Sequence, residues 1–228
     1  MDKKQYKAVF IDIDDTLLDF KKCSQKALEE SCKSIGIKYS SELYEYFHKV
    51  DKALWDRQKL GEIKVEQVLQ MRFETLCNSF VEKVDPSLFN KKFQESLAKT
   101  AVLIDGAEEI LHYLSLKYKL FAASNGILDM QTSRLKLSGL YGYFNKLFVS
   151  DVIGFEKPDR RFFIHCLKKS NYKSREVLFI GDSWEADVEG AMQVGIDSCW
   201  FSKVQKESKE INKPLYQIEE LIELQELV

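Results

Sequence analysis

The sequence has no CxxC spacing, and its five cysteines, Cys23, Cys32, Cys77, Cys166 and Cys199, are an odd number. A disulfide framework and a zinc site both fit that pattern poorly, so the thiols are expected to be reduced and mostly buried. An excess of either charge sign is missing too: 34 Lys and Arg stand against 36 Asp and Glu, a formal net charge of -2. A nucleic-acid polymer requires a basic face that would normally tilt this total, and is not an expected partner. No stretch approaches the roughly 20 apolar residues needed to cross a bilayer. The first residues lead into a strand without an apolar leader, and neither internal repeats nor low-complexity tracts occur. The expectation is a soluble, cytoplasmic chain. Its 228 residues can hold one large domain, or one domain carrying a smaller insertion.

What is present is concentrated in one short stretch, Ala8-Val9-Phe10-Ile11-Asp12-Ile13-Asp14-Asp15-Thr16. Four apolar residues run into three carboxylates and a hydroxyl, which reads as a buried strand delivering a polar end to the edge of a sheet. Aspartates at 12, 14 and 15 repel one another, and a hard, oxygen-binding divalent cation would neutralise them. A calcium loop of the EF-hand type is excluded, because Leu17 stands where that loop needs Gly and Cys23 where it needs Glu.

Helical periodicity then holds for about eighty residues. Cys23, Ala27, Ser31 and Ile35 share one face. Ser40 or Ser41 caps a second helix that closes near Gly61, a third carries Val65, Val68, Leu69 and Leu76, and Asp85-Pro86 opens a fourth. Four consecutive helices read as a self-contained inserted unit. From Ile104 strands and helices alternate. Asp105 is expected to cap a helix from Ala107, and strands are expected at 119–123, 146–149, 177–180 and 198–201. The first of these ends in Ser124-Asn125-Gly126, the second leads to Lys157-Pro158, and the third ends in Gly181-Asp182-Ser183 with Asp187 beyond. The mixed Lys and Glu run 203–213 reads as a solvated loop, and Ile218, Leu221, Ile222 and Leu224 suggest a terminal helix. The fold class is α/β: a Rossmann-like parallel sheet with an inserted four-helix unit, every polar strand end emerging on one edge.

Taken singly these polar ends are weak signals. Ser124-Asn125-Gly126 is more often a turn, and Lys157 more often an exposed loop lysine. Their order is informative: carboxylates, then a hydroxyl with amide donors, then a lysine, then more carboxylates, which together make a phosphate site with a metal. In that site Asp12, at the strand end, is placed to attack phosphorus, and Asp14 to protonate the departing alcohol and then activate water, help worth about 10²–10⁴-fold. Magnesium and Lys157 would neutralise the substrate's charge.

Asp12-Ile13-Asp14-Asp15-Thr16, Ser124, Lys157-Pro158-Asp159 and Gly181-Asp182-Ser183 with Asp187 resemble the four motifs of the haloacid dehalogenase superfamily, most of whose members are phosphatases. The resemblance covers residues 1–19 and 103–228 as catalytic core, and the helices of 20–102 are similar to that superfamily's cap, which would close over the site. It implies Mg²⁺ held by the Asp12 carboxylate, the Asp14 backbone carbonyl and Asp182, with Asp187 as a direct or supporting ligand. It also implies phosphoryl oxygens held by Thr16, Ser124, Asn125, Gly126 and Lys157. The superfamily's dehalogenases lack the second aspartate, since halide leaves without a proton; Asp14 therefore favours phosphoryl transfer. Position 15 departs from the Gly of many relatives. Asp15, with cap residues such as Trp55 and Arg72, resembles the subgroup of nucleoside monophosphate phosphatases that favour pyrimidine and non-standard nucleotides. Phe20, Trp55 and Arg72 are candidates to stack on or grip a base. The expected partner is a small phosphate monoester, first a nucleoside 5′-monophosphate, with the protein a monomer or homodimer and no membrane involved. A sugar-phosphate or phosphoglycolate phosphatase, a phosphoglucomutase-like transferase and an inactive phosphate-binding module remain as alternatives.

Overall fold

The computed structural model describes residues 6–81, 84–202 and 213–228; the loop expected at 203–213 lies almost wholly outside them. The chain divides into two compact units, one made of Met1–Asp19 and Leu103–Val228, the other of Phe20–Val102.

The first unit is built on six parallel strands: β1 (Ala8–Ile11), β2 (Lys119–Ser124), β3 (Lys146–Val149), β4 (Val177–Gly181), β5 (Asp197–Phe201) and β6 (Tyr216–Ile218), in the order β3-β2-β1-β4-β5-β6. All four residues of β1 are buried, as a central strand covered on both faces requires. Its side chains alternate between the two faces, and Ala8 and Phe10 enter a cluster with Phe121, Phe148, Phe163 and Phe179. Phe10 meets Phe121 edge to face at 5.3 Å, and Phe163 meets Phe179 likewise at 5.4 Å. Ile11 pairs with both Ala122 and Ile180, so the carboxyl ends of β1, β2 and β4 reach one level. The chain runs from β1 outward to β3 and returns on the far side at β4, which makes that edge of β1 the switch point where ligands bind in open α/β sheets.

Three local expectations are corrected. Gly106, at φ +79°, is the N-cap of the helix Ala107–Ser115, leaving Asp105 exposed: the chain enters the helix through a left-handed residue, a conformation that favours glycine. The terminal segment is not one helix. Tyr216–Ile218 adds an edge strand on β5, and only a 3₁₀ turn, Leu221–Glu223, and the short helix Leu224–Leu227 follow, with Leu221 and Leu224 buried. The helix expected after Asp182 starts as a π-helical turn, Trp184–Glu189, before Gly190–Met192.

The second unit contains α1 (Phe20–Ser34), α2 (Ser41–Lys59), α3 (Val65–Phe80) and α4 (Pro86–Leu97). Ser40 caps α2 by accepting the Leu43 amide, and Asp85 caps α4 ahead of Pro86. Phe47, Phe73, Phe89 and Phe93 interlock with ring centroids 4.8–5.5 Å apart and form the interior.

Candidate active site

Asp12 directly follows β1, and its amide donates to the Ile180 carbonyl at 2.9 Å, the last rung toward β4. Its Oδ1 accepts from Lys157 Nζ at 2.6 Å. The same ammonium donates to Asp187 Oδ1 at 2.6 Å and to the Ala123 carbonyl at 2.8 Å, engaging all three of its protons. Asp12, Asp187 and Lys157 are buried. Burial raises the Asp12 carboxyl, Lys157 opposes that, and Asp187 and Asp14 add to it, leaving it pushed up to about 7. Burial alone would lower the Lys157 ammonium, but Asp12 and Asp187 more than offset this and hold it above the usual lysine range.

Oxygens of Asp12, Asp182 and Asp187 lie within 4.8 Å of one another. Asp187 stays close because Gly181 makes room: a Cβ there would come within 2.4 Å of Asp187 Oδ2, which accepts the Ser183 amide at 3.0 Å. Asp182 is fixed through its backbone, its amide donating to Thr16 Oγ1 at 3.1 Å and its carbonyl accepting from Trp200 Nε1 at 2.8 Å.

Several side chains expected to hold a phosphoryl group are engaged within the protein. The Thr16 hydroxyl faces Asp182, with Oδ1 at 3.3 Å, so it orders a carboxylate loop. The Asn125 carboxamide grips both backbone groups of Lys157, its Oδ1 accepting the amide and its Nδ2 donating to the carbonyl, each at 2.8 Å; it positions the lysine. The Gly126 amide donates to Ser150 Oγ at 3.0 Å. Ser124 is 1% exposed at the end of β2. Asp15 occupies the left-handed region at φ +59° with an exposed side chain, a turn conformation that Gly takes freely and Asp tolerates. In the helical unit, Phe20 opens α1 and Trp55 is half-buried against Leu54, Ile63 and Val68. Arg72 is corrected as a base-gripping candidate. It is 1% exposed, pairs through Nη1 with Asp51 at 3.1 Å and lies 4.8 Å from the Phe93 ring centre, so its guanidinium is buried in the unit's own interior.

Two residues escaped the sequence reading. Gln131 and Arg134, on the helix Leu128–Leu137, both reach Asp14: Gln131 Nε2 donates to Oδ2 at 2.7 Å and Arg134 Nη1 to Oδ1 at 2.6 Å. The available signal was two long polar side chains three apart on the helix that follows Ser124-Asn125-Gly126, a spacing that places them on one face.

The sequence pattern of the haloacid dehalogenase-like hydrolases covers residues 6–195. The chain belongs to the haloacid dehalogenase-like hydrolases. Among its relatives are the pyrimidine 5′-nucleotidase PynA of Streptococcus pneumoniae, 33% identical over 93% of this chain and 91% of that protein, and the putative HAD-hydrolase YfnB of Bacillus subtilis, 30% identical over 97% and 94%. Pyrimidine 5′-nucleotidase YjjG of Escherichia coli is 28% identical over 96% of each chain. The crystal structure of YfnB, described as bound to magnesium, superposes with a TM-score of 0.90 at 29% identity, covering 98% of both chains.

For this hydrolase the donor set fits a hard divalent cation. Three carboxylates lie together, one ammonium pairs with two of them, all the candidate ligand atoms are oxygen, and the charge left over is negative. That excess predicts a pH effect in EDTA. The Asp12 carboxyl lies near 7 in the fold and near 4 unfolded, so the folded state holds the extra proton between these values and stability falls as pH rises through them. The contribution of Lys157 is retained across that window, which lies below the ordinary lysine range. The unfolding free energy obtained from urea titrations is expected to drop between about pH 4 and 7 by a few kcal/mol in the wild type. The drop should be absent in Asp12→Asn; an equal drop in both would contradict the assignment.

Proposed function

We propose that the protein is a magnesium-dependent phosphomonoesterase acting through an aspartyl-phosphate, with nucleoside 5′-monophosphates as substrates. The observation that carries this reading is the Lys157 ammonium joining Asp12 to Asp187, with Asp182 beside them and Asp14 two residues on. An Asp12 oxygen attacks phosphorus while the ester P–O bond breaks, and the leaving oxygen takes a proton from Asp14. Water then attacks the phosphorus of the aspartyl-phosphate and gives its proton to Asp14. The bond to the Asp12 oxygen breaks, releasing inorganic phosphate and restoring the carboxylate. Lys157 holds Asp12 in line and offers positive charge to the phosphoryl oxygens, and Ser124 offers them a hydroxyl. Magnesium, which Asp12, Asp182, Asp187 and the Asp14 carbonyl would hold, supplies the remaining charge neutralisation when bound. The nucleotide substrate is supported by PynA and YjjG, both named pyrimidine 5′-nucleotidases. The unit Phe20–Val102, inserted directly after the segment bearing Asp12 and Asp14, is proposed as the cap domain, with Phe20 and Trp55 as specificity residues. Five buried free thiols are in keeping with a reducing, cytoplasmic setting.

The test is a screen of phosphate monoesters ranked by kcat/KM in magnesium. Nucleoside 5′-monophosphates are expected to exceed sugar phosphates and phosphoglycolate by at least about tenfold, roughly the selectivity that 1.4 kcal/mol confers. EDTA should abolish turnover and magnesium restore it. A sharp preference for one sugar phosphate would overturn the substrate, and inertness toward every ester would overturn the activity.

A further inference from the structure

Gln131 joins two parts of the site, Asp14 and Ser124. Its Nε2 donates one proton to Asp14 Oδ2 at 2.7 Å and the other to Ser124 Oγ at 2.9 Å, while its Oε1 accepts from Arg134 Nη1 at 3.0 Å. The amide orientation is forced. Rotated by half a turn, Oε1 would face the Asp14 carboxylate and Nε2 would face a guanidinium. Arg134 is 0% exposed and Gln131 1%, yet the Asp14 side chain they hold keeps 27% of its surface open. Here the buried partners grip from one side, and the carboxylate presents its other side outward.

The grip on Ser124 has a second consequence. Because its oxygen already accepts from Gln131, its one proton remains for donation. Its contact with the Asn125 carbonyl, at 3.5 Å, is long for such a bond, so a phosphoryl oxygen could displace it readily.

We infer that Gln131 and Arg134 are positioning residues of the hydrolase: Arg134 fixes the Asp14 carboxylate for proton transfer, and Gln131 ties that carboxylate to Ser124 while directing the Ser124 hydroxyl at the phosphoryl group. The inference rests on the phosphatase reading above, and deepens it by naming what orients its two polar arms.

The test uses Arg134→Met, Gln131→Met and Arg134→Lys with magnesium present. On p-nitrophenyl phosphate, whose leaving group departs without a proton, Arg134→Met should give a rapid burst of about one product per enzyme. A steady state slowed roughly 10–100-fold should follow, a fraction of full acid and base assistance, with KM changed less than about threefold. On an alkyl monoester the burst should vanish, since the leaving group then needs Asp14. Arg134→Lys should restore part of the steady-state rate. Gln131→Met should raise the inhibition constant of inorganic phosphate several-fold, and combining it with Ser124→Ala should add little, because both remove the same directed hydroxyl.

Wild-type kinetics in Arg134→Met, equal slowing of both phases, or additive Gln131→Met and Ser124→Ala effects would overturn the inference. If Arg134→Met does not fold, the Gln131 and Ser124 pair decides, since neither change removes a buried charge. The two readings fail differently. Inert wild type alongside inert Asp12→Asn defeats the phosphatase reading, whereas active wild type with unaffected Gln131 and Arg134 variants defeats this inference alone.

Discussion

Asp12→Asn is expected to abolish turnover of phosphate monoesters, lowering kcat by roughly four orders of magnitude or more, the scale on which removing a covalent nucleophile acts. The amide oxygen that replaces the attacking carboxylate is a poor nucleophile, and no aspartyl-phosphate can form at that position. The fold should survive the change. Lys157 keeps Asp187 Oδ1 and the Ala123 carbonyl as acceptors, and one of three crowded carboxylates loses its charge. In EDTA the variant should therefore unfold no earlier than wild type near neutral pH, because the wild-type Asp12 carboxyl, at about 7, is there being forced to ionise beside Asp187. The measurement is twofold: steady-state turnover of an aryl phosphate, and acid-quench trapping of labelled phosphoprotein. Turnover within tenfold of wild type would remove Asp12 from its role. A variant that is inert, folded and devoid of labelled phosphoprotein would separate loss of the nucleophile from loss of the fold.

The part of the site legible in the sequence is the part that strand ends carry. A run such as Ala8–Ile11, followed at once by carboxylates, has few places to go except the middle of a parallel sheet, and the register of Ile11 with Ala122 and Ile180 brings Asp12, Ser124 and Asp182 to the same sheet edge, within one residue of level. Order along the chain was enough to anticipate that meeting. What the chain order does not encode is which polar group spends its hydrogen bonds on a neighbour. The Asn125 carboxamide, beside Ser124, bonds the Lys157 backbone, and the Thr16 hydroxyl faces Asp182. Their partners lie 32 and 166 positions away, and only the folded sheet edge selects them. Gln131 and Arg134 were passed over for the converse reason: on a helix, long polar side chains ordinarily face water, and the cue that these turn inward is Asp14, more than a hundred residues earlier. The last strand is not legible because three residues cannot establish a period, and Ile218 fits the helical spacing of Leu221, Ile222 and Leu224 equally well. Tyr216–Ile218 is a strand by virtue of β5 beside it. Arg72 shows the remaining blind spot, an arginine whose use depends on whether Asp51 is near enough to pair with it inside the helical unit.

Lys157→Met should produce the largest loss of stability of any single change in the site. Lys157 is 2% exposed and its ammonium is shared by Asp12 and Asp187, themselves 7% and 1% exposed. Methionine fills similar space but leaves two buried carboxylates facing each other without a cation. Breaking a buried pair by removing one partner typically costs about 3–5 kcal/mol, and the upper end is expected in EDTA because two partners are orphaned together. The sign of the magnesium effect follows from the same charges: a divalent cation held by Asp12, Asp182 and Asp187 would supply what the lysine no longer does, so magnesium should stabilise the variant more than it stabilises wild type. Lys157→Arg should not rescue. The wild-type acceptors, Asp12 Oδ1, Asp187 Oδ1 and the Ala123 carbonyl, converge on a single nitrogen, and a planar fork spreads its donors over three. Adding Asp12→Asn to Lys157→Met should recover part of the lost stability, since it removes one of the orphaned charges. Urea midpoints of the four proteins, with and without magnesium, test this. An unchanged midpoint for Lys157→Met in EDTA, or a double variant no more stable than the single one, would show that the three charges are not the interlocked unit their distances imply.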